Sequence, residues 1–575
     1  MQAIILAAGE SSRFHPFNSV HKSMVRVLGK PILEHTIKGL KKENIKKIVL
    51  IVGKDNVIKG YFGDGKNFGV SIDYVVQSEP LGAGNALLLA EQKIKENFLL
   101  LNAHRIDAYR FANSLSRSKL ANRSKAVILV KQKENTQIHG VLKFEKNQVL
   151  GITEKPAKGT EPSNLCVVGI YLLSCDFLKI LKNTPPEHYQ LEKAITAYCK
   201  KNMVTFVETK DDLITLKYPW DLLDVKNYLL KNVEKFVGKN SSVAKSAELA
   251  GEVFIGDGVS IMENVVIKGP CYIGENAFIG NNAVLRGGVD IGGNAVVGAN
   301  MEIKNSIVMR NSTTHSGYIG DSVIGQNCKI AAGFLTANVR LDRANVKVDV
   351  KGEKADTMLK MLGVMVGENC NMGIKVTTMP GVIIGRNVVV GASTTVMGNI
   401  SDNTKYYTVF KEIVSKREVK KPVVLFDIDY TLFDTKTFKK SGLTEYRLYA
   451  EVKSILEKMK DFAEIGIFSE GENNFQRGKL KKTFIHSHFE ENDVHIFLAK
   501  EDNLQHVLDK YAGREFFLVD DKLTILYNAK MLMPSVVAIW IKRGPFAESQ
   551  KELEGFKPDA EIKNLSDILS IIRKA

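Results

Sequence analysis

Val253-Phe254-Ile255-Gly256-Asp257-Gly258-Val259-Ser260-Ile261 opens the stretch on which the fold reading turns. Apolar residues recur from here at a strict period of six: Ile255, Ile261, Ile267, Ile273, Ile279, Leu285, Ile291, Val297 and Ile303. A second small or apolar series runs two positions ahead (Val253, Val259, Val265, Cys271, Ala277, Ala283, Val289, Ala295), and Gly follows the first at 256, 274, 280, 292 and 298. Period six fits neither a 3.6-residue helix nor a plain alternating strand. It predicts a left-handed parallel β-helix of triangular cross-section, each hexapeptide giving one short strand and a corner. One residue per side is expected to point into the stacked core, with Gly and Asn at corners because they tolerate positive φ. The period resumes at Val382, Ile384, Val388, Val390 and Val396. The polar, aperiodic stretch 341–363 between the two runs reads as a loop thrown out from the coil.

On the N-terminal side, short β-rich runs (Ala3–Leu6, Ile48–Val52, Phe98–Leu101, Ala126–Val130) alternate with helix-like stretches such as Ile32–Lys42. That alternation predicts a Rossmann-like α/β domain with a largely parallel sheet. On the C-terminal side, Tyr406–Lys421 reads as a basic, helix-compatible linker, and a further α/β domain begins at the apolar strand Val423–Phe426. The chain is thus expected to be multidomain, with units at 1–236, 237–405 and 421–575 joined through 406–420. Its 575 residues suit three such units.

Composition narrows the function classes. The chain is 44% hydrophobic and 25% charged, which excludes disorder as the main state. The excess of 80 Lys and Arg over 64 Asp and Glu gives +16, compatible with nucleic acid, an acidic membrane or phosphorylated small molecules. No RRM, helix-turn-helix or zinc pattern supports nucleic acid. No apolar run reaches the roughly 18 residues of a spanning helix, and Met1–Gly9 lacks a secretion signal, so a cytoplasmic protein without a membrane partner is expected. Six scattered cysteines without a CxxC pair read as small core residues.

Three groups of residues carry chemistry. The first is the small-residue loop Leu6-Ala7-Ala8-Gly9-Glu10-Ser11-Ser12-Arg13-Phe14 after the first strand, where backbone N–H groups approach phosphate and Arg13 and Lys22 neutralise it. In order follow Lys22, Leu28-Gly29-Lys30-Pro31-Ile32-Leu33, Gln77, Pro80-Leu81-Gly82-Ala83-Gly84, Gly140-Val141, Glu154-Lys155-Pro156 and Trp220-Asp221. This order resembles the sugar-phosphate nucleotidyltransferase family. The resemblance implies nucleotide binding at Ala8, Gly9, Gln77 and Gly82, phosphate contacts from the catalytic Arg13 and Lys22, and sugar contacts from Gly140, Glu154 and Asn164. It also implies Mg²⁺ held by two aspartates. One is Asp221; at the other position this sequence has Ala103-His104 where the family has Gly-Asp, and neutral imidazole is a poor ligand for Mg²⁺.

The second group lies in the coil: Met301-Glu302-Ile303-Lys304, then His315-Ser316-Gly317-Tyr318-Ile319-Gly320-Asp321-Ser322, then Ile330-Ala331-Ala332-Gly333-Phe334-Leu335-Thr336-Ala337-Asn338. It resembles the acetyltransferase half of bifunctional N-acetylglucosamine-1-phosphate uridylyltransferases, archaeal homologues above all. The resemblance implies His315 as general base, sugar binding by Lys304, Tyr318 and Asn338, acetyl-CoA beside Ala332, and a homotrimer with the site between subunits. Arg340 or Lys347 would supply further phosphate contacts. Lys329 stands where the bacterial enzymes place a sugar-binding Asn, which leaves open glucosamine or galactosamine 1-phosphate.

The third group is Val423-Val424-Leu425-Phe426-Asp427-Ile428-Asp429-Tyr430-Thr431-Leu432, then Ser469, Lys500 and Asp520-Asp521. Two carboxylates two apart at a strand end face the same way. The full set resembles the haloacid dehalogenase superfamily. It implies Asp427 as nucleophile, Asp429 as general acid then base, phosphate contacts from Thr431, Ser469 and Lys500, and Mg²⁺ at Asp427, Asp429, Asp520 and Asp521. Few residues separate the first two motifs, so a small cap or none is expected.

Together these imply amino-sugar nucleotide synthesis: acetyl-CoA-dependent N-acetylation of an amino sugar 1-phosphate, nucleotidyl transfer from UTP or dTTP, and a Mg²⁺-dependent phosphatase. The partners are small sugar phosphates and nucleotides. Two alternatives stand beside it, a first domain that only binds sugar nucleotide and a C-terminal sugar phosphomutase.

Overall fold

The computed structural model describes residues 1–415, 420–550, 553 and 555–573. It divides into two compact units, Met1–Phe410 and Lys411–Ala575.

In the first unit, a sheet runs in the order Val204–Glu208, Ala126–Gln132, Leu165–Leu173, Phe98–Asn102, Gln2–Ala7, Lys47–Val52, Ser71–Val76. Only Leu165–Leu173 runs antiparallel to its neighbours on this path, so the sheet is largely parallel as expected. Helix Ile32–Lys42 forms over the residues whose apolar spacing predicts it, burying Ile32, Leu33, Ile37 and Leu40. Because consecutive parallel strands connect through helices, all the strand ends that bear the small-residue loop, Asn102 and Gln77 open on one edge.

The coil forms three parallel sheets of short strands, and residue i pairs with i+18, as in Val253↔Cys271 and Ile261↔Ile279. Both apolar series are buried in one core, so each side contributes two inward residues, not one. The glycine expectation also needs correction. The corner asparagines do adopt positive φ, among them Asn264, Asn276, Asn294 and Asn311. The glycines after the apolar series do not; they are required because the next coil's backbone lies against them. A Cβ at Gly256 would sit 2.7 Å from the Glu275 N and one at Gly274 would sit 2.6 Å from the Gly293 N. Corner amides stack into a ladder in which each Asn Nδ2 donates to the next Oδ1, through Asn294, Asn311, Asn327, Asn369, Asn387 and Asn403.

The loop between coil runs carries a hairpin of Lys347–Val350 and Glu353–Asp356. Its Val346, Val348 and Leu362 pack on the outward row of one coil face, Ile307, Val323, Met365 and Ile383, together with Trp220 and Phe17 of the N-terminal layers. An outward β-helix row would ordinarily be polar; this one is apolar because it is covered. Five of the six cysteines are buried and Cys175 is exposed. Residues 407–415 form no helix, contrary to the helix-compatible reading of the linker: Val409, Ile413 and Val414 are largely exposed and have no apolar face to dock on. The remainder of that reading, 416–419, lies outside the described residues.

The second unit is an all-parallel sheet in the order Val494–Phe497, Glu464–Glu470, Val423–Phe426, Phe516–Asp520, Val537–Ile541, Ala560–Ile562, with apolar cores on both faces. Helices Thr435–Lys440 and Val452–Met459, between the first two motifs, pack Phe438, Val452 and Leu456 into that core. The first of them brings the Thr435 hydroxyl to Asp429 at 2.5 Å. No helix among the described residues is long and apolar enough to cross a membrane.

Candidate functional sites

At the first site, Lys22 is brought to the loop by its backbone N–H, which donates to the Ser11 hydroxyl at 3.1 Å. Its ammonium donates to the Leu216 carbonyl at 2.6 Å, and burial lowers it to about 8, with Asp221 opposing and Arg13 adding to the shift. Arg13 is exposed, and at Gly9 no atom of the chain lies within 4 Å of where a Cβ would stand, so the loop faces open space. Gln77 donates to the Gly82 carbonyl at 3.1 Å and to Asn85 at 2.9 Å, and Gly82 has φ +96°. Gly140 and Glu154 are cross-strand partners, and burial raises Glu154. Asn164 is exposed, its carbonyl accepting from the Lys133 N–H at 3.0 Å.

Asp221 begins helix Asp221–Leu230, and its Oδ2 accepts the backbone N–H groups of Lys217 at 2.5 Å and Tyr218 at 2.9 Å. Burial pushes it up to about 6. His104 is held neutral, far below its ordinary range, by burial and then by Lys22, Arg105 and His21. Asp107 offers no substitute: it is buried, paired to Arg105 at 3.0 Å and accepting from the Ile214 N–H. One carboxylate with an oxygen already spent on the backbone, and one neutral imidazole among cations, do not fit a hard dication.

In the coil, Lys304, Tyr318 and Asn338 come together through a fourth residue, Asp321. Asp321 receives the Lys304 ammonium at 3.3 Å, the Asn338 amide at 2.5 Å and the Asn305 amide at 2.7 Å; Asn338 also donates to the Tyr318 hydroxyl at 3.3 Å. Asp321, quoted within its motif without a role, is buried and has φ +48°. His315 is exposed, and no side-chain hydrogen bond ties it among the described residues. Its N–H donates to the Ile330 carbonyl, which sets it beside Ala331 and Ala332. Arg340 is exposed and paired with Asp342 at 2.5 Å, and Lys347 is exposed in the loop hairpin. The network continues inward: buried Lys226, on the helix that Asp221 begins, donates to Asn305 at 2.7 Å and to the Gly288 carbonyl. Burial lowers Lys226 to about 7. No spacing rule connects 226 with 305, so this link is invisible in sequence.

In the second unit, adjacent strand ends converge Asp427, Ser469, Lys500 and Asp520. Lys500 is fully buried, donates to Asp427 at 2.7 Å and bonds Asp520. These carboxylates hold its ammonium above the usual lysine range. Burial raises Asp427 to about 6 and Asp521 to about 9, with neighbouring carboxylates adding to both. The hydroxyl of buried Thr431 and the Oδ2 of Asp521 have no hydrogen-bond partner. Ser469 Oγ accepts from the Ile428 N–H at 3.4 Å. No three His, Cys, Asp or Glu groups among the described residues already form a metal cage. Three crowded carboxylates with an orphaned buried oxygen nevertheless form a donor set of the hard-oxygen kind that Mg²⁺ takes. Asp429 must be removed from that set. Both its oxygens are taken by Lys479 at 2.7 and 2.8 Å, with Thr435 at 2.5 Å and Gln476 at 2.8 Å, and it stays ionised below the usual carboxylate range.

Comparison with known proteins covers the first unit. The nucleotidyl transferase family model matches residues 2–221, the GMPPB C-terminal domain model residues 267–357 and the hexapeptide repeat of succinyl-transferase residues 363–397. Bifunctional protein GlmU of Methanococcus maripaludis strain C7 is 38% identical over 427 residues, 72% of this chain and 100% of the relative. GlmU of Methanocaldococcus jannaschii is 33% identical over 414 residues, 71% of this chain and 97% of the relative. The bifunctional sugar-1-phosphate nucleotidylyltransferase/acetyltransferase of Sulfurisphaera tokodaii is 34% identical over 387 residues, 66% and 93% respectively.

Proposed function

The chain belongs to the GlmU family of bifunctional nucleotidyltransferase–acetyltransferases, and from that premise we propose that it N-acetylates an amino sugar 1-phosphate and then transfers a nucleotidyl group from UTP or dTTP to the product. It is a transferase of amino-sugar nucleotide synthesis. The observation that carries the acetylation reading is the gathering of Lys304, Tyr318 and Asn338 on Asp321 in the coil that holds His315.

Lys304 binds the sugar phosphate and the Tyr318–Asn338 pair orients the ring. His315 takes the proton from the sugar amine as its nitrogen attacks the thioester carbonyl; the tetrahedral carbon collapses and CoA leaves as the thiol. A trimer through the coil would complete the acetyl-CoA pocket at Ala332. Thiol release from acetyl-CoA with glucosamine 1-phosphate, set against galactosamine 1-phosphate, tests the reading and names the sugar.

For nucleotidyl transfer, Arg13 and Lys22 hold the nucleotide phosphates, Gln77 and Gly82 the base, and Gly140, Glu154 and Asn164 the sugar. The sugar phosphate oxygen attacks the α-phosphorus and pyrophosphate leaves, its charge met by Arg13 and Lys22. The donor set at His104 favours a second reading in which this domain transfers slowly and serves mainly to hold sugar nucleotide.

The second unit is proposed as a phosphatase of the haloacid dehalogenase kind. Asp427 attacks the phosphorus, the bond from phosphorus to the leaving oxygen breaks, and that oxygen takes its proton from water, because Asp429, implied as the general acid, is kept ionised by Lys479 and holds none to give; the aspartyl-phosphate is then hydrolysed by water. Lys479 keeps Asp429 ionised, which fits it as the base that deprotonates that water. Mg²⁺ held by Asp427, Asp520 and Asp521 would neutralise the phosphoryl oxygens, which Thr431, Ser469 and Lys500 also contact. Only two short helices, Thr435–Lys440 and Val452–Met459, separate the first two motifs, and the lack of a large helical insertion there favours hydrolysis of a protruding phosphoester over mutase chemistry.

A further inference from the structure

A cleft of about 850 Å³ lies inside the first unit, between the segment 16–31 and the outer face of the coil. None of the residues assigned above to nucleotide, sugar or acetyl-CoA lines it. Its coil wall is the apolar outward row before the hairpin covers it. Phe236, Phe254 and Tyr272 sit on successive coils with ring centroids 5.0 Å apart and planes inclined by 21° and 9°. Such a ladder is costly on an open surface; Phe236 remains 47% exposed. At the turn Gly29, φ +74°, the opposite wall presses so close to Tyr272 that a Cβ would lie 2.5 Å from its hydroxyl.

The walls carry opposite charge. The segment 16–31, with Val57, Gly60 and Tyr61, contributes only two charged residues, Arg26 and Lys30. Arg26 stacks over the Tyr61 ring at 5.4 Å and donates to the Gly29 carbonyl, with no carboxylate partner among the described residues. Lys30 is crowded by Lys38, while the nearby Glu34 is already taken by Lys38 at 2.5 Å and the Tyr61 hydroxyl at 2.7 Å. The coil wall offers Glu275, Asp257, Glu368 and Asp290, with Arg310 as its one cation. Asp257 accepts from the Lys239 N–H, Asp290 from the Leu28 N–H and Glu368 from the Gln326 amide, so the Glu275 carboxylate is the one left without a hydrogen bond among the described residues.

We propose that this cleft is a binding site for an amino-hexose phosphate, with the phosphate on Arg26 and Lys30, the ammonium toward Glu275 and the apolar ring face against the aromatic ladder. The volume suits a ligand of that size or somewhat larger. Guanidinium and ammonium pair with phosphate, and aromatic faces accept the C–H side of a pyranose. The backbone segment that lines the cleft also carries Lys22.

The test titrates glucosamine 6-phosphate into the full chain by calorimetry, in a Lys304→Ala background so that the proposed acetylation site does not register. One saturable site is expected, weakened about tenfold or more by Arg26→Gln with Lys30→Gln and, separately, by Glu275→Gln, each variant melting as the parent does. Glucose 6-phosphate, which lacks the ammonium, should bind about tenfold more weakly. No saturable binding in the millimolar range, or affinity unchanged in both charge variants, overturns the proposal. Because the readout is binding, failure of the transferase assignment would leave this test intact.

Discussion

Two places in this chain collect groups suited to phosphoryl chemistry, and they treat charge in opposite ways. At the strand ends of the second unit, Asp427, Asp520 and Asp521 surround one buried lysine, and burial together with the neighbouring carboxylates pushes Asp427 and Asp521 up against the opposing pull of Lys500. At the first site, Asp221 spends an oxygen on two backbone N–H groups, and His104 is held neutral by burial and by Lys22 and Arg105. Excess negative charge calls in a cation; excess positive charge repels one. The proposed acetylation site lies between these extremes, its charges closed within the Asp321 network and the imidazole of His315 outside it.

The largest effect should come from the crowded site. Asp427→Asn removes the proposed nucleophile, and phosphate release from an active phosphoester should fall at least a thousandfold, about 4 kcal/mol of barrier. Activity persisting within tenfold would break the comparison on that side. His315→Ala should lower thiol release about a hundredfold or more, as loss of a general base does, while leaving pyrophosphate release intact. His104→Asp should raise nucleotidyl transfer in Mg²⁺ by about tenfold, near 1.4 kcal/mol.

The smallest effect concerns Lys226, which ties the helix of Asp221 to the coil. Its folded pKa of about 7 lies below its unfolded value, so between those values the unfolded chain binds the extra proton and stability rises with pH. Below pH 7 the term contributes no slope. Lys226→Met should therefore flatten the rise in Tm between pH 7 and 9 relative to the parent. Parallel Tm profiles would show that Lys226 is not held neutral.

What was legible in the sequence is what local periodicity encodes. The hexapeptide series specifies the coil, and helix Ile32–Lys42 follows from its apolar spacing. Gly256 and Gly274 fall where the hexapeptide pattern puts them, but the constraint on them comes from the backbone of the next coil, 19 residues away at Glu275 and Gly293, and not from local φ. Strand alternation places Asp427 and Asp429 on one side, but it cannot show that Lys479, fifty residues on, occupies both Asp429 oxygens. Asp321 and Lys226 escaped for the same reason, since their partners come from other elements. The outward apolar row of Ile307, Val323, Met365 and Ile383 was a readable signal that one coil face is covered.

The contrast between the two charge environments is tested most directly by a Mg²⁺ titration of pyrophosphate release from UTP and N-acetylglucosamine 1-phosphate, run on the parent and on His104→Asp. A weak, late Mg²⁺ response is expected in the parent, with a rate about tenfold higher at lower Mg²⁺ in the variant. Superimposable curves, both saturating at low Mg²⁺, would contradict it.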